Sequence, residues 1–379
     1  MGNNCGCNSE NKIRDTLAKT KQPSCCGTTP FSAVTNRDKA IKADWVIEHK
    51  DTKIGRIPII SARLSRKDMV DGWKARWGLN RMNYRIEPGL YGIGNPDESS
   101  PVLVTANYKL TFDKVRKELD GFNGWILILD TKGINVWCAA GKGTFGTAEL
   151  IHRLTLTKLA LLVNHRTLIL PQLGAVGVAA HEITKATGFN VIYGPVLARD
   201  IKVFIENNYQ KTAPMRTVYF PLAARMAVAP IEIMHSLKLL LLMFVIIGIF
   251  SAIENKTLTF MAITDFLPFL GAVITGTVIF PALLPYLPFR SFAVKGYILG
   301  ILYTAAVIFF MHPGSWGITF YFLVLPALVS FLTLNFTGAS TYTSLTGTKI
   351  EVSTSLPVFA VLGIAGILVR ILILVRYLA

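Results

Sequence analysis

Two kinds of hydrophobic pattern follow one another along the chain. From residue 101 to 193, short apolar runs alternate with segments whose apolar residues recur at helical spacing. Pro101–Ala106 (PVLVTA) and Trp125–Asp130 (WILILD) have the length and β-branched content of strands buried on both faces. Thr167–Leu170 and Asn190–Tyr193 read as two more, and Gly133–Cys138 as a further short one. Between them, Thr111–Leu119 predicts a helix with Thr111 as N-cap and Phe112, Val115 and Leu119 on one face. Thr147–Val163, capped by Thr147, and His181–Thr187 extend the alternation of strand and helix. Such an order predicts a parallel sheet wrapped by helices, a Rossmann-like α/β domain. Upstream, residues 44–101 are mixed, with Arg56–Arg63 as one plausible strand.

Beyond residue 230 the pattern changes to long apolar stretches. Five have the length of about 20 residues that a membrane-spanning helix needs: His235–Ile253, Phe260–Pro281, Ala293–Met311, Gly317–Leu334 and Leu356–Val375. The expected organisation is a polar tail (1–43), an α/β domain (44–200), a proline-bearing linker (201–234) and an all-α domain of five spans (235–379). Met1–Ser9 is polar and lacks the apolar core of a secretory signal, which predicts that the α/β domain stays in the cytoplasm. Arg290, Lys295 and Lys349 then fall in or beside the cytoplasmic connections, as the positive-inside rule requires, in a multi-pass protein of the cytoplasmic (inner) membrane. Arg370 and Arg376 near the far end go mildly against that rule, though long side chains can snorkel. The scarcity of ionisable groups within the spans favours anchoring over transport.

Composition sharpens this division. Charged residues make up 16% of the chain and mean hydropathy is +0.44, which excludes a disordered chain and a wholly water-soluble enzyme. The net charge of +16 is concentrated before residue 231, where 32 Lys/Arg face 19 Asp/Glu. These charges are scattered and carry no nucleic-acid motif, so nucleic acid is not an expected partner. Four of five cysteines (Cys5, Cys7, Cys25, Cys26) lie in the polar tail, where they are either incidental thiols or ligands for a soft metal. No Cys-x-x-Cys occurs, so an iron–sulfur cluster held by this chain is not expected.

The fifth cysteine lies in the most unusual segment, Asn135-Val-Trp-Cys-Ala-Ala-Gly-Lys142, followed by Gly143-Thr-Phe-Gly146. Its glycines suggest a phosphate cradle, yet Lys142 precedes Gly143 rather than Ser or Thr and Val136 replaces the first P-loop glycine, so that pattern fails. The G-x-G-x-x-G spacing is met only in part by Gly141, Gly143 and Gly146. What remains is Cys138 near the carboxyl edge of an α/β sheet, where open sheets bind ligands. By residue chemistry alone it is a nucleophile, a metal ligand or a small buried side chain. The small residues Ala139, Ala140 and Gly141 leave room for a large flat cofactor.

Asn135 to Lys142 matches without departure the cap motif of the HgcA family, the membrane-bound corrinoid proteins of microbial mercury methylation. The chain resembles that family from about Asp44 onward, including Pro171–Ala175 (PQLGA), Tyr193–Ala198 (YGPVLA) and five spans after the α/β domain. The α/β domain is also similar, more distantly, to the corrinoid domain of the corrinoid iron–sulfur protein large subunit. That likeness implies corrinoid contacts at Thr105, Thr111, Asn135, Val136, Trp137, Cys138 and Gly194. The cap motif adds Ala139, Ala140, Gly141 and Lys142. The HgcA resemblance implies that Cys138 is the lower axial ligand of a cobalamin-type cobalt, and that a methyl group passes from cobalt to Hg(II) to give methylmercury. A thiolate in that position donates electron density to the metal, as it does in thiolate-ligated haem. The partners implied are a ferredoxin-like protein with two four-iron clusters as electron donor and a methylated folate, acting through a methyltransferase, as methyl donor. Trp137 and Phe145 are expected either to pack on the corrinoid or to fill the core. Two other readings stay open: a corrinoid methyl carrier of one-carbon metabolism, and a soft-metal transporter with a regulatory α/β domain.

Overall fold

The computed structural model describes residues 43–255, 261–339 and 342–378. The tail cysteines Cys5, Cys7, Cys25 and Cys26 lie outside the described residues. The α/β domain runs β1 (Val46–Thr52), β2 (Gly55–Ile60), α1 (Arg66–Arg76), β3 (Gly89–Ile93), β4 (Val102–Ala106), α2 (Lys109–Glu118), β5 (Gly124–Leu129), α3 (Val136–Gly141), α4 (Thr147–Thr157), β6 (Thr167–Leu170), α5 (Ala180–Thr187), β7 (Asn190–Tyr193) and α6 (Ile201–Glu206). Its seven strands form one sheet in the order β1-β2-β3-β5-β4-β6-β7. Strands β5, β4, β6 and β7 are parallel, as the alternation of strand and helix predicts. The rest of the sheet is mixed, because β3 pairs antiparallel with β5 and β1 antiparallel with β2.

Alternate residues of the central strands feed two cores, one on each face. Val102, Val104 and Ala106 of β4, with Trp125, Leu127 and Leu129 of β5, pack under α3, α4 and α5. Leu103, Ile126 and Ile128 point the other way, against Phe112 of α2 and Phe204 of α6. Within 201–234, Phe204 and Met215 are buried against this second face. The second face also holds a buried charge network. Lys109 Nζ reaches Asp68 at 2.7 Å and Asp113 at 2.6 Å, and Arg116 bonds Asp68 (2.7 Å), Asp113 (2.8 Å) and the carbonyls of Ser61 and Arg63 (both 2.8 Å). Burial works against the Asp68 charge, but hydrogen bonds from Lys109, the Ser65 N–H and Arg116 outweigh it and hold the carboxyl well below the usual range.

Three local expectations are corrected. Helix α2 begins at Lys109 with Tyr108 as its cap position, so Thr111 lies inside the first turn and caps nothing. The Lys109 N–H is already satisfied by the Tyr84 carbonyl, and its ammonium is drawn into the buried network. Residues 136–141 are helical, not a strand, because the Asn135 side chain accepts from the Cys138 N–H and starts a turn. Helix α4 has Gly146 as its cap; the Thr147 hydroxyl instead accepts from the Ala179 N–H at 2.9 Å, tying two loops together.

Among the described residues, five helices are long and apolar enough to cross a membrane: Leu222–Glu254, Ile263–Leu283, Phe292–Met311, Ser315–Gly338 and Thr346–Tyr377. They coincide with the five apolar stretches in the sequence and extend several of them. The third and fourth are joined by hydroxyls, with Ser330 Oγ donating to the Ala293 carbonyl at 2.6 Å and Thr333 Oγ1 to that of Phe292 at 3.1 Å. Arg370, expected to snorkel, is instead paired with Glu254 at 2.8 Å.

Candidate functional site

The parallel strands place their carboxyl ends on one edge. The chain crosses from β4 to β5 on one side and then returns past β4 to β6 on the other, which makes the β4/β6 end a topological switch point. Ligands of open α/β sheets bind at such points. The β5–α3 loop, the β6–α5 loop (171–179) and the turn after β7 border this edge.

Asn107, directly after β4 and 1% exposed, organises the edge. Its Oδ1 accepts from the Thr131 N–H (3.1 Å), the Thr131 hydroxyl (2.9 Å) and the Gly133 N–H (3.0 Å), while its Nδ2 donates to Asp130 Oδ1 (3.1 Å). Gly133 adopts φ +73°, a left-handed turn that favours glycine. The Asp130 N–H donates to Glu149 at 2.8 Å, and Glu149 is held in turn by Arg153 at 2.7 Å. Burial opposes the Asp130 charge, yet the Lys132 ammonium and N–H keep its carboxyl below the ordinary range.

From this fixed loop Asn135 launches α3, its Oδ1 accepting from the Cys138 N–H at 2.9 Å. Val136, Ala139 and Ala140 face inward and belong to the first core. Trp137, 41% exposed, and Cys138 face outward, followed by exposed Gly141, Lys142 and Gly143. Apart from its chain neighbours and the backbone of its own turn, nothing lies within 4 Å of where a Cβ would stand on Gly141 or Gly143, so the backbone there is open to approach. Phe145 is fully buried and fills the core, which decides between its two expected roles. The β6–α5 loop clamps the return: a Cβ on Gly177 would run into the Phe145 carbonyl and come 3.0 Å from Ala140 Cα. The Tyr193 hydroxyl donates to the Val178 carbonyl and braces that loop from β7.

Asn135 to Lys142 thus form one exposed shelf whose thiol has no hydrogen-bond partner among the described residues. Gly194 is buried at the end of β7, its N–H donating to the Leu170 carbonyl at 2.7 Å, on the same sheet edge. Thr105 is 3% exposed within β4, and Thr111 is half-buried on α2, which packs on the opposite face from α3. The structure therefore does not bring these two threonines onto the shelf. Asn107, Thr131, Glu149 and Gly177 escaped the sequence reading. The one available signal was a polar residue at the end of a strand that is otherwise buried.

Among the described residues, no group of three or more His, Cys, Asp or Glu could hold a metal ion. Residues 79–205 match the family of the CO dehydrogenase/acetyl-CoA synthase delta subunit. The acetyl-CoA decarbonylase/synthase complex subunit gamma of Archaeoglobus fulgidus is 35% identical over 131 residues, covering 34% of this chain and 27% of that protein. Its counterpart in Methanocaldococcus jannaschii is 37% identical over 128 residues, covering 33% and 26%. The corrinoid/iron-sulfur protein large subunit of Moorella thermoacetica is 33% identical over 126 residues, covering 33% and 28%. The chain spans about a quarter of the length of these relatives. The family match at 79–205 takes in β4 to β7 and the shelf at 135–142.

Proposed function

We propose that the α/β domain binds a corrinoid and that the protein is a membrane-anchored corrinoid methyltransferase delivering a methyl group to Hg(II). The observation that carries this reading is the exposed, unpartnered thiol of Cys138 on an open shelf at the switch point. The family match over residues 79–205, which contain the shelf, and the likeness to a corrinoid/iron-sulfur protein large subunit support the cofactor. The shelf fits a large flat group: small residues behind it, open backbone at Gly141 and Gly143, and an exposed Trp137 on the same helix as the thiol.

When bound, the corrinoid supplies a cobalt centre able to carry a methyl group. Cys138 would hold the cobalt through its sulfur, and the exposed part of Asn135–Lys142 would face the corrinoid. Asn135 orients the thiol by fixing the Cys138 N–H, and Asn107 holds the loop from which Asn135 projects. A sulfur ligand would be a strong electron donor to the metal, and Hg(II), a soft Lewis acid, suits a methyl acceptor. With no Cys-x-x-Cys in the chain, we assign reduction to a separate ferredoxin-like protein with two four-iron clusters, and remethylation to a methylated folate through its own methyltransferase.

The likeness to acetyl-CoA decarbonylase/synthase subunits favours a second reading, a membrane-bound methyl carrier of one-carbon metabolism. One experiment separates them: anaerobic methylmercury formation by cells carrying the protein and its ferredoxin-like partner, compared with Cys138→Ala. The expected outcome is methylation abolished by the substitution at unchanged protein level. Corrinoid bound by the wild type without any methylmercury would favour the carrier.

A further inference from the structure

Helix α1 is built inside out. At about 100° per residue, its inward side presents Asp68, Gly72 and Ala75: Asp68 joins the buried charge network, Gly72 meets Leu110, and Ala75 is 1% exposed. Its outward side is a stripe of Met69, Val70, Trp73 and, at the C-cap, Trp77. Met69 is 57% exposed, Val70 51% and Trp73 57%, and the two indoles lie 5.5 Å apart. The turn that follows adds exposed Leu79 and Met82. Arg66, Lys67, Lys74 and Arg76 flank the stripe, against two carboxylates outside the buried network, Asp71 beside Lys74 and Asp44 paired with Lys67.

Two features point to what covers this face. A Cβ on Gly78, just past Trp77, would stand 3.7 Å from Ile231 Cγ1. Ile231 lies in the first turn of the helix Ala229–Asn255, which forms the first span, so α1 ends where the chain enters the membrane. The stripe also combines aromatic and aliphatic residues with a basic border, the composition of helices that lie in a bilayer interface over anionic headgroups.

We propose that α1, with Trp77, Leu79 and Met82, seats the α/β domain on the anionic surface of its own bilayer. The apolar stripe enters the headgroup boundary and the basic flanks meet lipid phosphates. The seat reaches the candidate site directly, because the Met82 carbonyl lies 3.2 Å from where a Cβ on Gly133 would stand, against the loop that launches α3. This inference rests on neither the corrinoid nor mercury.

The test uses the full chain in nanodiscs of brominated phosphatidylcholine with phosphatidylglycerol, reading tryptophan quenching. The chain has six tryptophans, of which Trp316, at a span end, is the other one expected in lipid. For rings of equal brightness, Trp73→Phe with Trp77→Phe should lower the quenched fraction about twofold, and Val70→Trp should raise it. A quenched fraction that rises in the double variant would place both indoles in water and overturn the proposal. Protection from acrylamide without quenching by bromolipid would assign the stripe to a protein surface and overturn it as well. Equal quenching in discs without phosphatidylglycerol would remove the basic flanks from the seat.

Discussion

The two faces of the sheet are built on different principles. Under α3, α4 and α5 the core is apolar throughout, and the polar contacts that shape the site are made at its edge by Asn107 and the loop backbone. Under α1 and α2 the core is closed by two buried ion-paired cations and two carboxylates. The first arrangement leaves a thiol exposed on top of a packed layer. The second lets α1 be held by its charged side, which releases its apolar side for another surface. A helix fastened by hydrophobic contact could not do that. The proposed cofactor shelf and the proposed membrane seat thus belong to opposite faces of one sheet.

The comparison is broken most severely at Asp68. Asp68→Ala leaves Lys109 and Arg116 buried with half of their countercharge, and should cost about 3–5 kcal/mol of domain stability. Urea unfolding of the detergent-solubilised protein measures this. Its pH dependence follows from the depressed carboxyl: the contribution is fully present above the unfolded value of about 3.9 and is lost as pH falls below it towards the folded value. The wild type should therefore lose stability below about pH 4 more steeply than Asp68→Asn. Equal slopes would remove the network from its role.

At the site edge the expected effect is smaller and more local. Asn107→Ala leaves the Thr131 and Gly133 N–H groups without their acceptor, at about 1–3 kcal/mol. Hydrogen exchange should show residues 131–138 losing protection while the core strands keep theirs. Uniform loss across β4 and β5 would mean that Asn107 supports the whole sheet rather than the loop.

The smallest effect sharpens the contrast. Cys138 is exposed and its thiol touches no polar partner among the described residues, so Cys138→Ala should change stability by less than about 0.5 kcal/mol. A thermal melt shifted by several degrees would make the thiol a packing element and weaken its assignment as a ligand.

The sequence by itself determined what depends on local composition. Four parallel strands and the five spans were legible because apolar runs of a given length allow few other solutions, whereas the helical form of the cap segment was not. Strand β1 (VIEHKDT) was not legible, since an edge strand carries charges and breaks the alternation, and α1 was not, since its apolar residues follow no inward stripe. Thr111 and Thr147 look like caps in isolation, but the chain around them supplied other partners. Only the tertiary structure decided that Asn107 would hold the loop 24 to 26 residues away, that Gly177 would press on Ala140, and that Arg370 would meet Glu254. Periodicity records which side of an element is apolar. Which neighbour each side meets is set by the order of strands in the sheet and by the closing of loops, and neither of these is a local property of the chain.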